Sequence, residues 1–278
     1  MKIIRKIRRK LVEIPFTWAI LNSFYRLFAR FDFEKKLIKI EQKAKITKEQ
    51  EDKLKIIFSD LTVLDGPFKG MKYPDFIAYG SAMYPKLLGA YECEIYPEME
   101  KLLKNDYHTI WDIGCAEGYY AVGFAMCKSN ATIYAYDTDE VALNACKKMA
   151  ALNNVEKQMR FGNFCSQETL TQFDFSKRSL IMSDCEGFEM ELFTPEVVKN
   201  LINCDLIIEL HDLYNEKVSP TVEDTFRDTQ HMTFVYSKST FKKMRAFELS
   251  KQFSDEQIAK FFTERNGIMQ WVFMTPKV

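Results

Sequence analysis

Between residues 109 and 210 the chain alternates short apolar runs with helix-period segments, and that alternation leaves few folds open. The runs Thr109–Ile113, Thr132–Tyr136, Gln158–Phe161, Ser179–Ser183 and Asp205–Leu210 have the length and bulk of buried strands. Helical patterns over Tyr119–Lys128 and Asp139–Leu152 separate the first three, and another, Glu189–Asn200, follows the fourth. Parallel neighbours need a long crossover, so strands joined by helices of this size imply a parallel α/β sheet with helices on both faces. Further on, Met232–Tyr236 and Ile268–Met274 read as two more strands around a helix at about Asp255–Arg265.

Three regions follow. Residues 105–278 form the sheet domain. Residues 61–104 are a connecting region in which Leu64-Asp-Gly-Pro-Phe-Lys-Gly70, Pro74, Gly80, Pro85 and Gly89 punctuate an aromatic-rich stretch. Such a region can fold as a lid or pocket wall, and it ends in a helix over about Ile95–Lys104. Residues 1–60 read as a helical extension with Pro15 at a helix start. Lys2, Arg5, Lys6, Arg8, Arg9 and Lys10 open it, ahead of an aromatic stretch from Ile14 to Phe33. One use for this segment is packing, on the sheet domain or on a second copy in a homo-oligomer. The other is peripheral contact with an anionic membrane face, with Trp18, Phe24, Tyr25 and Phe28 dipping in.

Charge and cysteine usage narrow the setting. Thirty-nine basic and 39 acidic residues cancel, so no overall field favours a polyanion. The sheet domain has neither a basic stripe nor an Asn-Pro-Pro-Tyr or Asp-Pro-Pro-Tyr motif, which argues against nucleic acid as substrate. Seven cysteines, at 93, 115, 127, 146, 165, 185 and 204, form no C-x-x-C. An odd, scattered set fits reduced thiols in the cytoplasm better than disulfides or structural zinc. No secretory signal and no uncharged apolar run of about 18 residues is present. A cytoplasmic protein, peripheral to the inner face of the membrane if the N-terminal helix binds lipid, is the expectation.

The strand ends carry the chemistry. Trp111-Asp112-Ile-Gly114-Cys-Ala116-Glu-Gly118-Tyr119-Tyr120 closes the first strand and opens a helix. Gly114 and Gly118 let the backbone turn sharply and approach a ligand, at the place where open α/β sheets bind one. The pattern is D-x-G-x-A-x-G, not G-x-G-x-x-G. A carboxylate at Asp112 repels a pyrophosphate but suits a ligand carrying an ammonium and a sulfonium. The second strand ends in Asp137, followed by Thr138, where two ribose hydroxyls could be held; this feature is shared with NAD sites. After the third strand, Asn163 could read an adenine edge and Phe164 could stack on it. The plain alternative is that the glycines only tighten the turn and the acids are solvated.

These residues resemble the FkbM-type family of Class I methyltransferases, from about Gly66 to Asp212 and more loosely toward the C-terminus. The resemblance rests on Gly89-Ala-Tyr-Glu92, on Asp112-Ile-Gly-Cys-Ala-Glu-Gly118, on Asp137 with Asn153, and on Ile208-Glu209-Leu-His211. Its strongest element is Asp184-Cys-Glu-Gly-Phe-Glu189, similar to that family's D-x-E-G-x-E signature. The chain departs from commoner members at Asp137, where Glu-Pro is usual, and at Cys115-Ala116-Glu117. The resemblance implies a Rossmann-like Class I sheet with a reversed final strand and S-adenosylmethionine as cofactor. It also implies methylation of a hydroxyl on a small molecule or glycan precursor. The implied cofactor contacts are Glu92, Asp112, Gly114, Ala116, Gly118, Tyr119, Asp137, Thr138, Asn163, Phe164, Asp184 and Glu186.

Asp184, Glu186, Glu209, His211 and Asp212 should crowd one sheet edge, and crowded carboxylates need a proton, a cation or the cofactor's own charge. Two catalytic readings stand open. In one, His211 or a carboxylate, Asp184 or Glu209, is a general base without any metal. In the other, Asp184, Glu209 and His211 bind Mg²⁺. A bland reading has Glu189 capping a helix and His211 bonding a backbone carbonyl. His231, Glu264 and Arg265 look structural, and His108 looks exposed. An NAD-linked oxidoreductase and a cofactor-binding scaffold without turnover are the rival functions.

Overall fold

A computed structural model describes residues 48–265 and 267–277. These fall into two units, residues 48–59 and the residues from Asp60 onward. Residues 48–57 are helical and 58–60 form a turn; residues 1–47 of the expected N-terminal helical segment lie outside the described residues. Among the described residues, no helix is long and apolar enough to cross a membrane.

The second unit is built on a seven-stranded sheet. Its strands are β1 (Thr109–Ile113), β2 (Thr132–Tyr136), β3 (Met159–Gly162), β4 (Ser179–Ser183), β5 (Asp205–Leu210), β6 (Gln230–Tyr236) and β7 (Gln270–Pro276). The order is β3-β2-β1-β4-β5-β7-β6. β1 to β5 run parallel, and β7 is antiparallel to both β5 and β6. This is the Rossmann-like Class I methyltransferase sheet, reversed strand included. β1, β4 and β5 are buried along their whole length, as continuous apolar strings in a covered parallel sheet should be.

The helices are α1 (Met83–Leu88), α2 (Tyr96–Leu102), α3 (Tyr119–Cys127), α4 (Glu140–Leu152) and α5 (Gln167–Gln172), then α6 (Glu189–Leu192), α7 (Pro195–Asn200), α8 (Val218–Phe226), α9 (Thr240–Met244) and α10 (Asp255–Phe261). The expected single helix over Glu189–Asn200 is two. Pro195 cannot continue a helix from the preceding turn, and Thr194 caps the new one through the Val197 N–H at 3.5 Å. The expected helix to Arg265 stops at Phe261, which frees Glu264 and Arg265 for the interior.

The region before the sheet is packed against it. Phe68 is buried edge-on to Tyr119, Tyr120 and Phe124 of α3, with centroids 5.3, 5.9 and 5.6 Å away. Tyr119 through Ala125 are all buried, so α3 has no wet face over most of its length. Asn153 joins the same region to α4: its side chain accepts from the Lys72 N–H and donates to the Lys72 carbonyl, each at 2.8 Å. That structural pairing accounts for the asparagine.

Candidate functional site: an acidic cavity at the strand ends

A cavity of about 470 Å³ opens where β1, β2, β3 and β4 end. Gly114 sits at its floor with φ +87°, and a Cβ there would lie 1.8 Å from the Asp184 carbonyl oxygen. The missing side chain is what lets the turn after β1 abut the turn after β4. Two further bonds hold the floor, from the Gly114 and Cys115 N–H groups to the Tyr136 carbonyl at 2.8 and 2.9 Å.

Gly114, Ala116, Tyr119, Asp137, Thr138, Asn163, Phe164, Asp184 and Glu186, all expected around a cofactor, line this cavity. Asp137 does two things at once. Its Oδ2 accepts the Ala116 N–H at 2.7 Å and its Oδ1 accepts the Asp139 N–H at 2.8 Å, which leaves lone pairs on both oxygens for a ligand. Ala116 is thereby held at φ +45°. Asn163 and Phe164 are exposed side chains on the opposite wall, and Phe164 packs against Phe188 at 5.5 Å.

Asp112, Gly118 and Glu92 stand apart from the expected contacts: none of the three is on the wall. Asp112 is buried behind the turn, and it bonds the Ala121 backbone at the start of α3. Burial first, then the Asp184 charge, pushes its carboxyl up to about 8. Gly118 opens α3 at φ +99°, where a Cβ would meet the Cys146 sulfur at 2.6 Å. Glu92 is fully buried behind the Tyr91 and Tyr120 side of the cavity, and it accepts the Tyr120 hydroxyl.

The expected grouping of Asp184, Glu209 and His211 does not form. Glu209 and Glu92 both pair with the Arg265 guanidinium. His211 instead meets Glu189, Asp184 and Glu186. Its Nδ1 is 2.5 Å from Glu189 Oε1, and its Nε2 is 3.4 Å from Asp184 Oδ1 and 3.5 Å from Glu186 Oε2. One atom each of Asp184, Glu186 and His211 lie within 4.8 Å of one another, close enough to share a proton or a cation. β4 ends at Ser183, so Asp184 and Glu186 come together through a turn, with Glu186 at φ +53° and Gly187 at +102°. Asp212 is engaged elsewhere, accepting from Ser219.

Burial pushes the Asp184 carboxyl up to about 7 against the opposing pull of His211. Burial alone would lower the His211 imidazole. The Glu189 hydrogen bond and the charges of Asp184, Glu189 and Glu186 outweigh it, so the ring is raised above its usual range.

The cavity's third side comes from the connecting region that the sequence offered as a lid or pocket wall, although its individual residues were not singled out. Tyr79, Gly80, Ser81, Lys86 and Tyr91 line it. Lys86 is buried, with its ammonium 2.5 Å from Glu117 Oε1, 2.7 Å from Ser81 Oγ and 4.7 Å from the Tyr91 ring centre. Glu117 also accepts the Tyr79 N–H at 3.1 Å. A lysine between a proline and two leucines in an aromatic stretch, and a glutamate inside a glycine turn, were the available signals. Arg265 was read as structural from the sequence, without its partners Glu92 and Glu209, and Lys243 was missed. Lys243 is buried between Glu264 at 2.5 Å and Glu94 at 3.2 Å.

Set beside known proteins, residues 97–182 match the family model of ribosomal protein L11 methyltransferase. Over 47 residues the chain is 45% identical to a ribosomal protein L11 methyltransferase of Helicobacter hepaticus; that stretch is 17% of this chain and 14% of the relative's length. Among solved structures, precorrin-6y C5,15-methyltransferase of Geobacter metallireducens superposes with a TM-score of 0.44 at 14% identity, over 65% of this chain and 87% of its own. An rRNA methylase of Streptococcus thermophilus gives 0.45 at 12% identity, over 66% and 96%. The family match thus runs from α2 to β4, across the glycine turn and Asp137, and stops short of Asp184.

Proposed function

We propose that the protein is an S-adenosylmethionine-dependent O-methyltransferase acting on a hydroxylated small molecule, such as a sugar or glycan precursor. One observation carries the reading: the charge of the cavity wall. Its carboxyl and ammonium groups are Asp137, Asp139, Asp184 and Glu186 against Lys86, whose ammonium is already matched by Glu117. Such a wall repels a diphosphate and suits a nucleoside bearing a sulfonium and an ammonium, which weighs against the NAD alternative. The donor set agrees: Asp137 offers free lone pairs, Asn163 an amide and Phe164 an exposed ring. The volume is that of a small-molecule site.

When bound, the cofactor would supply an electrophilic methyl group. The chain's task is then to align the acceptor and accept its proton at the rim. The aromatic and hydroxyl wall of Tyr79, Ser81 and Tyr91 is suited to a polyhydroxylated acceptor. Because the family match ends before Asp184 and begins after Tyr91, the acceptor side falls outside it. The FkbM-like signature is the support for a hydroxyl acceptor.

Calorimetry with S-adenosylhomocysteine tests the cofactor. Wild type should bind it, and Asp137→Ala should lose about 1–3 kcal/mol, the usual cost of unmade charged hydrogen bonds. Unchanged affinity would remove Asp137 from the site. Tritiated S-adenosylmethionine offered with a panel of monosaccharides, phenols and primary amines tests the acceptor; transfer confined to the amines would replace the O-methylation reading.

A further inference from the structure

Glu189, His211 and Asp184 form a line from the interior to the cavity. Glu189 is 0% exposed and His211 2%, and neither is on the cavity wall, whereas Asp184 and Glu186 are. A carboxylate at Nδ1, 2.5 Å away, fixes a proton on that nitrogen. A bare Nε2 lone pair would then face Asp184 and Glu186 at 3.4 and 3.5 Å, lone pair against carboxylate. A second proton on Nε2 removes the conflict. Tyr214 covers the ring in a parallel stack, 5.6 Å between centres and 3° between planes. The charged and titratable groups around the imidazole are therefore Asp184 and Glu186 from the turn after β4, Glu189 from α6, and Tyr214 from the segment after β5. Lys86 acts on Asp184 from α1.

Resting on the methyltransferase reading, we propose that Asp184 is the group that faces the acceptor hydroxyl, and that Glu189 and His211 are positioning residues holding a proton against its far side. As the acceptor oxygen bonds to the methyl carbon, the carbon–sulfur bond breaks with its electron pair leaving on sulfur. The hydroxyl proton passes to Asp184. His211 keeps its proton throughout and fixes the orientation of the Asp184 carboxylate. A line of carboxylate, imidazole and carboxylate gives the signature glutamate Glu189 a task that helix capping alone does not explain.

The chain has three histidines, so ¹⁵N-histidine spectroscopy can resolve His211 directly, with exposed His108 and His231 as internal references. The expected result is a His211 ring protonated on both nitrogens at pH 7. Glu189→Gln and Asp184→Asn should each lower its midpoint by about one pH unit or more. Glu189→Gln should leave S-adenosylhomocysteine binding within about threefold, a change below 1 kcal/mol. A His211 that is neutral at pH 7 and indifferent to Glu189→Gln would overturn the positioning role. Selective loss of the His211 signal on adding Mn²⁺ would replace the shared proton with a cation.

Proton inventories test Asp184 separately. Binding of S-adenosylmethionine and S-adenosylhomocysteine is measured at pH 7 by calorimetry in buffers of different ionisation heat. The sulfonium form should release more protons than the neutral thioether, and the difference should vanish in Asp184→Asn. Equal release in wild type would overturn the assignment. If neither nucleoside binds, the methyltransferase reading fails and Asp184 loses its role with it, while the His211 titration still decides whether the Glu189 pairing exists.

Discussion

Two acid clusters sit close together in this protein, and they are neutralised in opposite ways. Glu92 and Glu209 share Arg265, whose charge is permanent, and the three side chains are 16% exposed at most. Asp184, Glu186 and Glu189 share His211, whose charge can be withdrawn, and one side of that group opens on a cavity. An arginine keeps its proton at any pH the fold meets, so the first cluster can only brace. The second holds a carboxyl raised to about 7, Asp184, beside an imidazole raised above its usual range, so it can exchange a proton with a ligand near neutrality. The contrast separates what holds the sheet edge together from what can do chemistry on it.

The sharpest way to break the comparison is Arg265→Met. It strands two buried carboxylates and should cost about 3–5 kcal/mol in denaturant unfolding, because an uncompensated buried charge is far worse than none. A loss below about 1 kcal/mol would mean that Glu92 and Glu209 are neutral without the arginine. Gly114→Ala comes next. A side chain at φ +87° that also meets the Asp184 carbonyl at 1.8 Å must displace the turn. The expected loss is about 1–3 kcal/mol of stability, together with at least about tenfold in S-adenosylhomocysteine affinity. Wild-type affinity in this variant would show that the two turns need not touch.

Glu189→Gln should be milder than Arg265→Met, about 1–2 kcal/mol in the same unfolding assay, since the imidazole can shed its proton when its partner is neutralised. Equal losses in the two variants would erase the distinction between brace and switch. Asp112 is read through pH rather than through a single loss, because its carboxyl is raised to about 8 in the folded chain. The folded state holds that proton more tightly than the unfolded chain, so its contribution is full at low pH and is lost as pH rises through 8. Melting temperature should therefore fall between about pH 4 and 8, from the ordinary value of 3.8 to the folded one, and Asp112→Asn should flatten the fall. A parallel curve for the variant would show that Asp112 is charged throughout.

Much of this fold can be read in the sequence, because buried parallel strands are spelled as unbroken apolar runs. β1, β2, β4 and β5 have the ends their patterns indicate, and β3 is displaced by a single residue, since Gln158 belongs to a 3₁₀ turn. The missed helices are mostly short, the nine-residue α8 excepted. α1 lies wholly buried with no polar face to betray it, and α5 is announced only by the Ser166–Thr169 capping pair. At the site, residues in the strand-end turns were legible because chain order places them together. Glu209 was misjudged for a different reason. Its neighbour in space, Arg265, arrives from 56 positions later through a helix that ends early, and no local pattern encodes that meeting. Lys86 and Glu117 were equally hidden, since a buried ion pair across 31 positions leaves no periodic trace.

That last pair has a consequence for how such a protein could change its diet. The segment bearing Tyr79, Ser81 and Tyr91 is latched to the glycine turn through the Glu117 carboxylate, which takes the Lys86 ammonium, the Tyr79 N–H and the Tyr73 hydroxyl. A different segment that kept these donors, and the Phe68 and Lys72 contacts with α3 and Asn153, could dock without altering the nucleoside-facing turn. New acceptors would then be reached by changing Tyr79, Ser81 and Tyr91 while the mount stays fixed.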